Sequence, residues 1–275
     1  MSAVSFLRWS FCVVFIGLFP VLAQVRVLIV DGVNNHDWTA GTAAIKAILA
    51  ESGGFQVDVA TVTAQKTEQW RPDFSKYQVV INNFNGGHTA EGLAWPAHVE
   101  KQLEDFVRGG GGLVSFHAAN NAFLRWAAYN QMIGLGWRDP DFGDGLAVSG
   151  DGTVIRIPKG QGLKPGHPKR GDFVLHVRER QHPVTKGLPK EWVQPMEQLT
   201  HGQHGPAEGL TILTYAYSPI SKQNEPMDWV RNYGKGRVYV TMLGHTWKGE
   251  TNPNLDAPGF RKMFAQGVAW AATGN

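Results

Sequence analysis

Histidines placed just after apolar runs are the residues of this chain best suited to chemistry. His117 stands in GGGGLVSFHAANNAF, His36 in VRVLIVDGVNNHDW and His245 in RVYVTMLGHTW, while His88 ends NNFNGGH behind YQVVI. An imidazole titrates near neutrality, so it can move protons, and in its neutral form it can ligate a divalent metal. Glu197, in PMEQLTHGQH, adds a carboxylate four residues before His201. On a helix that spacing would put both groups on one face, where they could share a metal. Pro195, Gly202, Gly205 and Pro206 argue against a helix there. A divalent ion such as zinc, held by some of His117, His245, Glu197 and His201, is one reading; metal-free acid–base chemistry is the other.

Other motifs are excluded. Residues 24–275 contain no cysteine, so disulfides, thiolate catalysis and cysteine-ligated metals are out. No GxSxG occurs, and Gly109–Gly112 precede their strand, whereas phosphate-cradling glycine loops follow one. The net charge of +3 is mild, and Lys159, Lys164, Lys169 and Arg170 are broken up by Gly and Pro, which reads as a solvated loop rather than a nucleic-acid surface. Ten tryptophans are many for this length, and Trp38 and Trp247 fall in expected loops. Their faces could stack on a sugar ring or simply pack loops onto the body. Asn120 could hydrogen-bond a polyhydroxylated ligand or serve as a turn residue.

These side chains need a scaffold. VRVLIVDG, Phe55–Val62, Tyr77–Ile81 and Leu113–Phe116 read as strands, the first and last nearly continuously apolar, as in parallel sheets. Helical spacing fills the gaps: Ala44, Ile45, Ile48 and Leu49, with Thr39 as N-cap, then Val99, Leu103, Phe106 and Val107. Ala118–Ala128 reads as a helix entered through His117. Strand–helix alternation implies βαβ units with right-handed crossovers. Later strands are expected at Thr153–Ile157, Phe173–Val177, Leu210–Tyr217 and Arg237–Leu243, and a closing helix from Pro258. In such a sheet, ligands bind beyond the carboxyl ends of the strands, which is where His36, His88, His117 and His245 would meet.

Residues 1–23 read as a secretory leader. Arg8 precedes an apolar stretch, Phe11–Phe19, and Val21-Leu22-Ala23 supplies a cleavage site before Gln24. The expectation is a periplasmic or secreted protein with one domain over 24–275, off the membrane once the leader is removed.

VRVLIVDG with NNHDW, GGGLVSFHAANNAF, QHPVTKGLP followed by Glu197, YGKGRVYVTMLGHTW and FRKMFAQGVAWAA together resemble the ThuA-like, trehalose-utilisation family. The resemblance implies an α/β, flavodoxin-like fold, similar to class I glutamine amidotransferases: a three-layer sandwich around a mainly parallel sheet. Amidotransferases need a cysteine where His117 stands, so that activity is excluded. The family is linked to oxidised disaccharides, with roles on 3-keto sugars. The resemblance therefore implies a small-molecule carbohydrate partner and isomerase- or lyase-type chemistry on a keto-sugar or keto-glycoside. His117 would be the base, His245 and His36 acids or ligands, and Glu197 an orienting group. Trp38, His88, Asn120 and Trp247 would bind substrate. A metal-dependent hydrolase of a sugar derivative and a non-catalytic carbohydrate-binding protein are the alternatives.

Overall fold

The computed structural model describes residues 24–87 and 92–274; the leader and His88 lie outside them. The elements run β1 (Val25–Gly32), α1 (Trp38–Ser52), β2 (Phe55–Val62), β3 (Val79–Asn82), α2 (Ala97–Arg108), β4 (Gly112–Phe116) and α3 (Ala127–Ile133). Then follow β5 (Asp144–Val148), β6 (Val154–Ile157), β7 (Gly171–Val177), β8 (Glu191–Glu197), β9 (His204–Gly205), β10 (Thr211–Ser218), β11 (Gln223–Tyr233), β12 (Gly236–Thr241) and α4 (Pro258–Thr273). Among the described residues no helix is long and apolar enough to cross a membrane.

The sheet order is β2-β1-β3-β4-β12-β11-β10-β7-β8. Its first five strands are parallel and follow the flavodoxin-like sequence 2-1-3-4-5. They are apolar because both faces are covered. Val27–Val30, Val79–Ile81, Leu113, Val114 and Val238–Val240 are buried. Helix α4 packs on α1 and sends Phe264 against Phe116. On the opposite face Tyr129 of α3 donates to the Ala119 carbonyl and accepts from Asn82. Right-handed crossovers place α1 and α2 on opposite faces, completing three layers.

Beyond β12 the sheet turns antiparallel through β11, β10, β7 and β8, with β5, β6 and β9 as a side arm. Strands β5, β8 and β11 are not apparent in the sequence. Pro195 interrupts β8, and β11 carries Glu225, Pro226 and Asp228, a run that resembles a loop.

Two local expectations are corrected. Asp37, not Thr39, caps α1: its carboxylate accepts from the Ala40 N–H at 3.1 Å and from the Thr39 hydroxyl. No α-helix runs over Ala118–Ala128; a 3₁₀ turn covers His117–Asn121 and α3 starts at Ala127. The carbonyls of Asn121 and Ala122 are bound by the buried Arg138 guanidinium, so they are unavailable to a continuing helix.

Candidate functional site

The order in which strands are added reverses between β1 and β3, since β1 leads to β2 on one side and β3 to β4 on the other. Loops after neighbouring parallel strands therefore open onto one crevice. His36 follows β1, His117 follows β4 and His245 follows β12. All three are buried, and one ligating atom from each lies within 4.8 Å of the others. Their rings stand almost perpendicular, with centroids 4.8, 5.0 and 5.2 Å apart.

His117 occupies the left-handed region at φ 45°, at the turn where β4 ends. Such a conformation persists only where the surroundings impose it, and it recurs at functional sites. Its Nδ1 lies 2.7 Å from the Met242 carbonyl. A carbonyl only accepts, so Nδ1 carries the proton and Nε2 the lone pair. His36 repeats the arrangement, with Nδ1 3.1 Å from the Asn35 side-chain oxygen. Nδ1 of His245 is buried without a hydrogen-bond partner.

Glu197 terminates β8, after Met196 has bent the strand at φ 41°. The buried carboxylate collects four donors. Gly244 N–H reaches Oε2 at 2.7 Å and Asn254 Nδ2 reaches it at 2.9 Å; Gln198 and His245 N–H reach Oε1 at 2.8 and 3.1 Å. Glu197 thus fixes the backbone that carries His245. Gly244 is required here: its φ is 103°, and a Cβ would stand 2.3 Å from the Phe116 ring. Asn254 extends the network, accepting from Arg170 Nη2 at 3.1 Å.

Burial lowers His117 to about 4, against the Met242 carbonyl, which favours its charged form. Burial and then the neighbouring His117 and His36 lower His245 to about 2. Burial also pushes Glu197 up to about 7, while its four donors pull the other way. Near neutral pH His117 and His245 are therefore uncharged, the form that binds metals. In metal-free protein the unfolded imidazoles titrate near 6.5, well above the folded values. Between pH 6.5 and 4 the unfolded chain binds more protons at these two histidines, so their contribution to stability falls as pH falls, while the raised Glu197, Glu225 and Asp228 carboxyls hold protons in the folded state and oppose it. The imidazole contribution is therefore read as a difference: in denaturant unfolding of chelated protein, His117→Asn should lose less stability, or gain more, than the wild type between about pH 7 and about pH 5. Equal pH dependence in the two would mean that the ring is solvated.

The cluster sits beside a cavity of about 490 Å³, to which His36 and His245 contribute walls. Asn35, Asn85, Asn121 and Gln198 supply amides, Trp137 and Trp247 supply apolar faces, and His167 and Arg170 approach from the 158–170 loop. Trp247 stacks on His245 at an interplanar angle of 14° and meets His36 edge-on.

Of the residues singled out in the sequence, His36, His117 and His245 come together, with Glu197 behind them and Trp247 beside them. Glu197 and His201 are not on a helix, and neither joins the three-histidine cluster. His201 pairs in a bridge with Gly166 instead. Asn120 is fully buried and donates to the Leu135 carbonyl at 2.8 Å; its neighbour Asn121 faces the cavity. Trp38 opens α1 and does not line the cavity. Arg170 is not a solvated loop residue: its guanidinium binds Met196 O, Glu250 and Asn254 and lines the cavity. Asn35, Gln198 and Asn254 carry no sequence signal beyond residue type.

The family model described as ThuA, trehalose utilisation, matches residues 26–271. A ThuA-like protein from Parabacteroides merdae superposes with a TM-score of 0.83 at 33% identity, over 92% of this chain and 91% of that one. A ThuA-like protein from Bacteroides uniformis, at 16% identity, shares the fold with a TM-score of 0.58 over 94% and 95% of the two chains. No curated protein matches the chain in sequence. A family match over nearly the whole domain, together with a neighbour of this similarity, shows that the chain belongs to the ThuA trehalose-utilisation family.

Proposed function

We propose that this protein is a carbohydrate-active enzyme whose three histidines hold a divalent ion, and that it performs proton-transfer chemistry, isomerisation or elimination, on a keto-sugar or keto-glycoside. The observation that carries this reading is the convergence of His36, His117 and His245, buried and within 4.8 Å at their ligating atoms, beside an amide- and indole-lined cavity.

The residues fit an ion in three respects. His117 and His36 each give Nδ1–H to an oxygen, the outer-shell contact that orients metal-binding imidazoles. The buried Nδ1 of His245 has no partner. His117 and His245 are uncharged at neutral pH, and three protein ligands leave a coordination position open for substrate. Bound there, a divalent ion such as zinc would polarise a sugar carbonyl and stabilise the enediolate that forms when the neighbouring C–H is deprotonated.

The chain's own groups do the rest. Asn35, Asn85, Asn121 and Gln198 present amides to sugar hydroxyls. The faces of Trp247 and Trp137 meet the apolar face of a ring. With its basicity lowered to about 4, His117 is a poor free base and a good neutral ligand, so the C–H proton would pass to Nε2 of His167, which lines the cavity with its Nδ1 held by the Pro168 carbonyl. Glu197 holds His245 in place through the backbone. The leader read over residues 1–23 would put this activity in the periplasm or outside the cell.

Incubating metal-loaded protein with 3-keto and unoxidised disaccharides in D₂O tests the reading. Deuterium is expected beside the carbonyl of the oxidised substrate alone, seen by NMR. Metal-dependent cleavage without deuterium uptake would favour a hydrolase, and inert behaviour of every oxidised sugar would leave only a binding role.

A further inference from the structure

We propose that the protein carries a second cation site, distinct from the three histidines, in which Glu225, Gln203 and Ser221 bind a hard ion of the calcium class through oxygen. A cavity of about 260 Å³ lies between the β5–β6–β9 arm and β11, walled by Leu146, Ile157, Gln203, His204, Ser221 and Glu225. Glu225 and Gln203 are each only 3% exposed.

The hydrogen-bond balance inside this cavity is short of donors. The Glu225 carboxylate accepts a long bond, 3.3 Å, from Gly202 N–H. Gln203 spends Nε2 on the Pro226 carbonyl, which leaves its buried Oε1 without a donor. His204 cannot supply one, because both its ring nitrogens lie 3.2 Å from carbonyls, those of Gly143 and Leu163. Burial pushes Glu225 up to about 7, and the neighbouring Ser221 hydroxyl and Gly202 N–H offset only part of that.

Buried acceptors without donors are costly, and a cation coordinated by them removes the cost. Carboxylate, amide carbonyl and hydroxyl oxygens are ligands for hard ions, whereas imidazoles select softer ones. A cavity of this size holds an ion together with several waters, each occupying roughly 30 Å³, so a calcium-type shell can be completed without further side chains.

The position gives the site a consequence. Gly162 and Leu163 form part of its wall. The chain then passes Gly166, paired in a bridge with His201, and delivers His167 and Arg170 to the histidine-side cavity. An ion at Glu225 would fix the start of that loop.

Full-length chelated protein titrated with calcium chloride is expected to melt about 5 °C or more higher at an ion concentration near 100-fold above Kd. Glu225→Gln should melt at or above the wild-type temperature in chelator, having lost an uncompensated buried carboxylate, and should not respond to calcium. Gln203→Leu keeps the charge but lacks one oxygen, and should weaken calcium binding measured by calorimetry by about 10-fold or more. No calcium shift in the wild type, or equal shifts in the wild type and both variants, would overturn the proposal.

Discussion

His117→Asn is expected to lower turnover of a keto-disaccharide by at least about 10²-fold with the fold retained. Asparagine is chosen because the site is in the left-handed region, which Asn tolerates better than other non-glycine residues. Its amide can still address the Met242 carbonyl that now receives Nδ1–H. What it lacks is Nε2, the only nitrogen of His117 free to ligate an ion. The change should therefore remove chemistry and cost only about 1 kcal/mol of stability. Turnover and denaturation midpoint measured on one preparation separate the two effects. Unchanged turnover would remove His117 from the reaction.

The second large effect is expected at Glu197. Truncation to alanine strands three backbone N–H groups and the Asn254 amide in the interior. Leaving buried partners of a charge unsatisfied costs about 3–5 kcal/mol. Glu197→Gln keeps the shape and one acceptor but turns an NH₂ toward donors, so it should fall between. If Glu197 only stabilised the fold, Glu197→Gln would bind zinc like the wild type at temperatures where it remains folded. Because the carboxylate holds the backbone of His245, affinity is instead expected to fall by about 10- to 100-fold. Unchanged affinity and stability would show that the four hydrogen bonds position nothing.

Legibility in the sequence differed between the two halves of the sheet for a physical reason. Strands β1, β3, β4 and β12 are buried on both faces, so they appear as short, nearly continuous apolar runs. The antiparallel half has exposed residues such as Val174, Val193 and Tyr217, together with buried polar ones such as Glu225 and Asp228. Its strands therefore lack a clean pattern. The same logic applies to the site. His36, His117 and His245 each follow an apolar strand, and parallel topology brings loops at one edge together. Glu197 is visible as a carboxylate, but its partners lie 47 and 57 residues away, at Gly244 and Asn254. No local spacing announces such contacts. In the sequence Arg170 reads as solvated because it sits among Gly, Pro and Lys; only the fold brings Asn254 and Glu250 to it.

In the proposed site, three imidazoles from distant loops form one metal-binding set. Titrating chelated protein with cobalt(II), and following the visible absorption of the bound ion, tests it directly. One equivalent should bind with a low-coordinate spectrum, zinc should displace it, and His36→Ala, His117→Asn and His245→Ala should each abolish the signal. The absence of any bound ion, or an equivalent that persists when both His117 and His245 are replaced, would contradict the account.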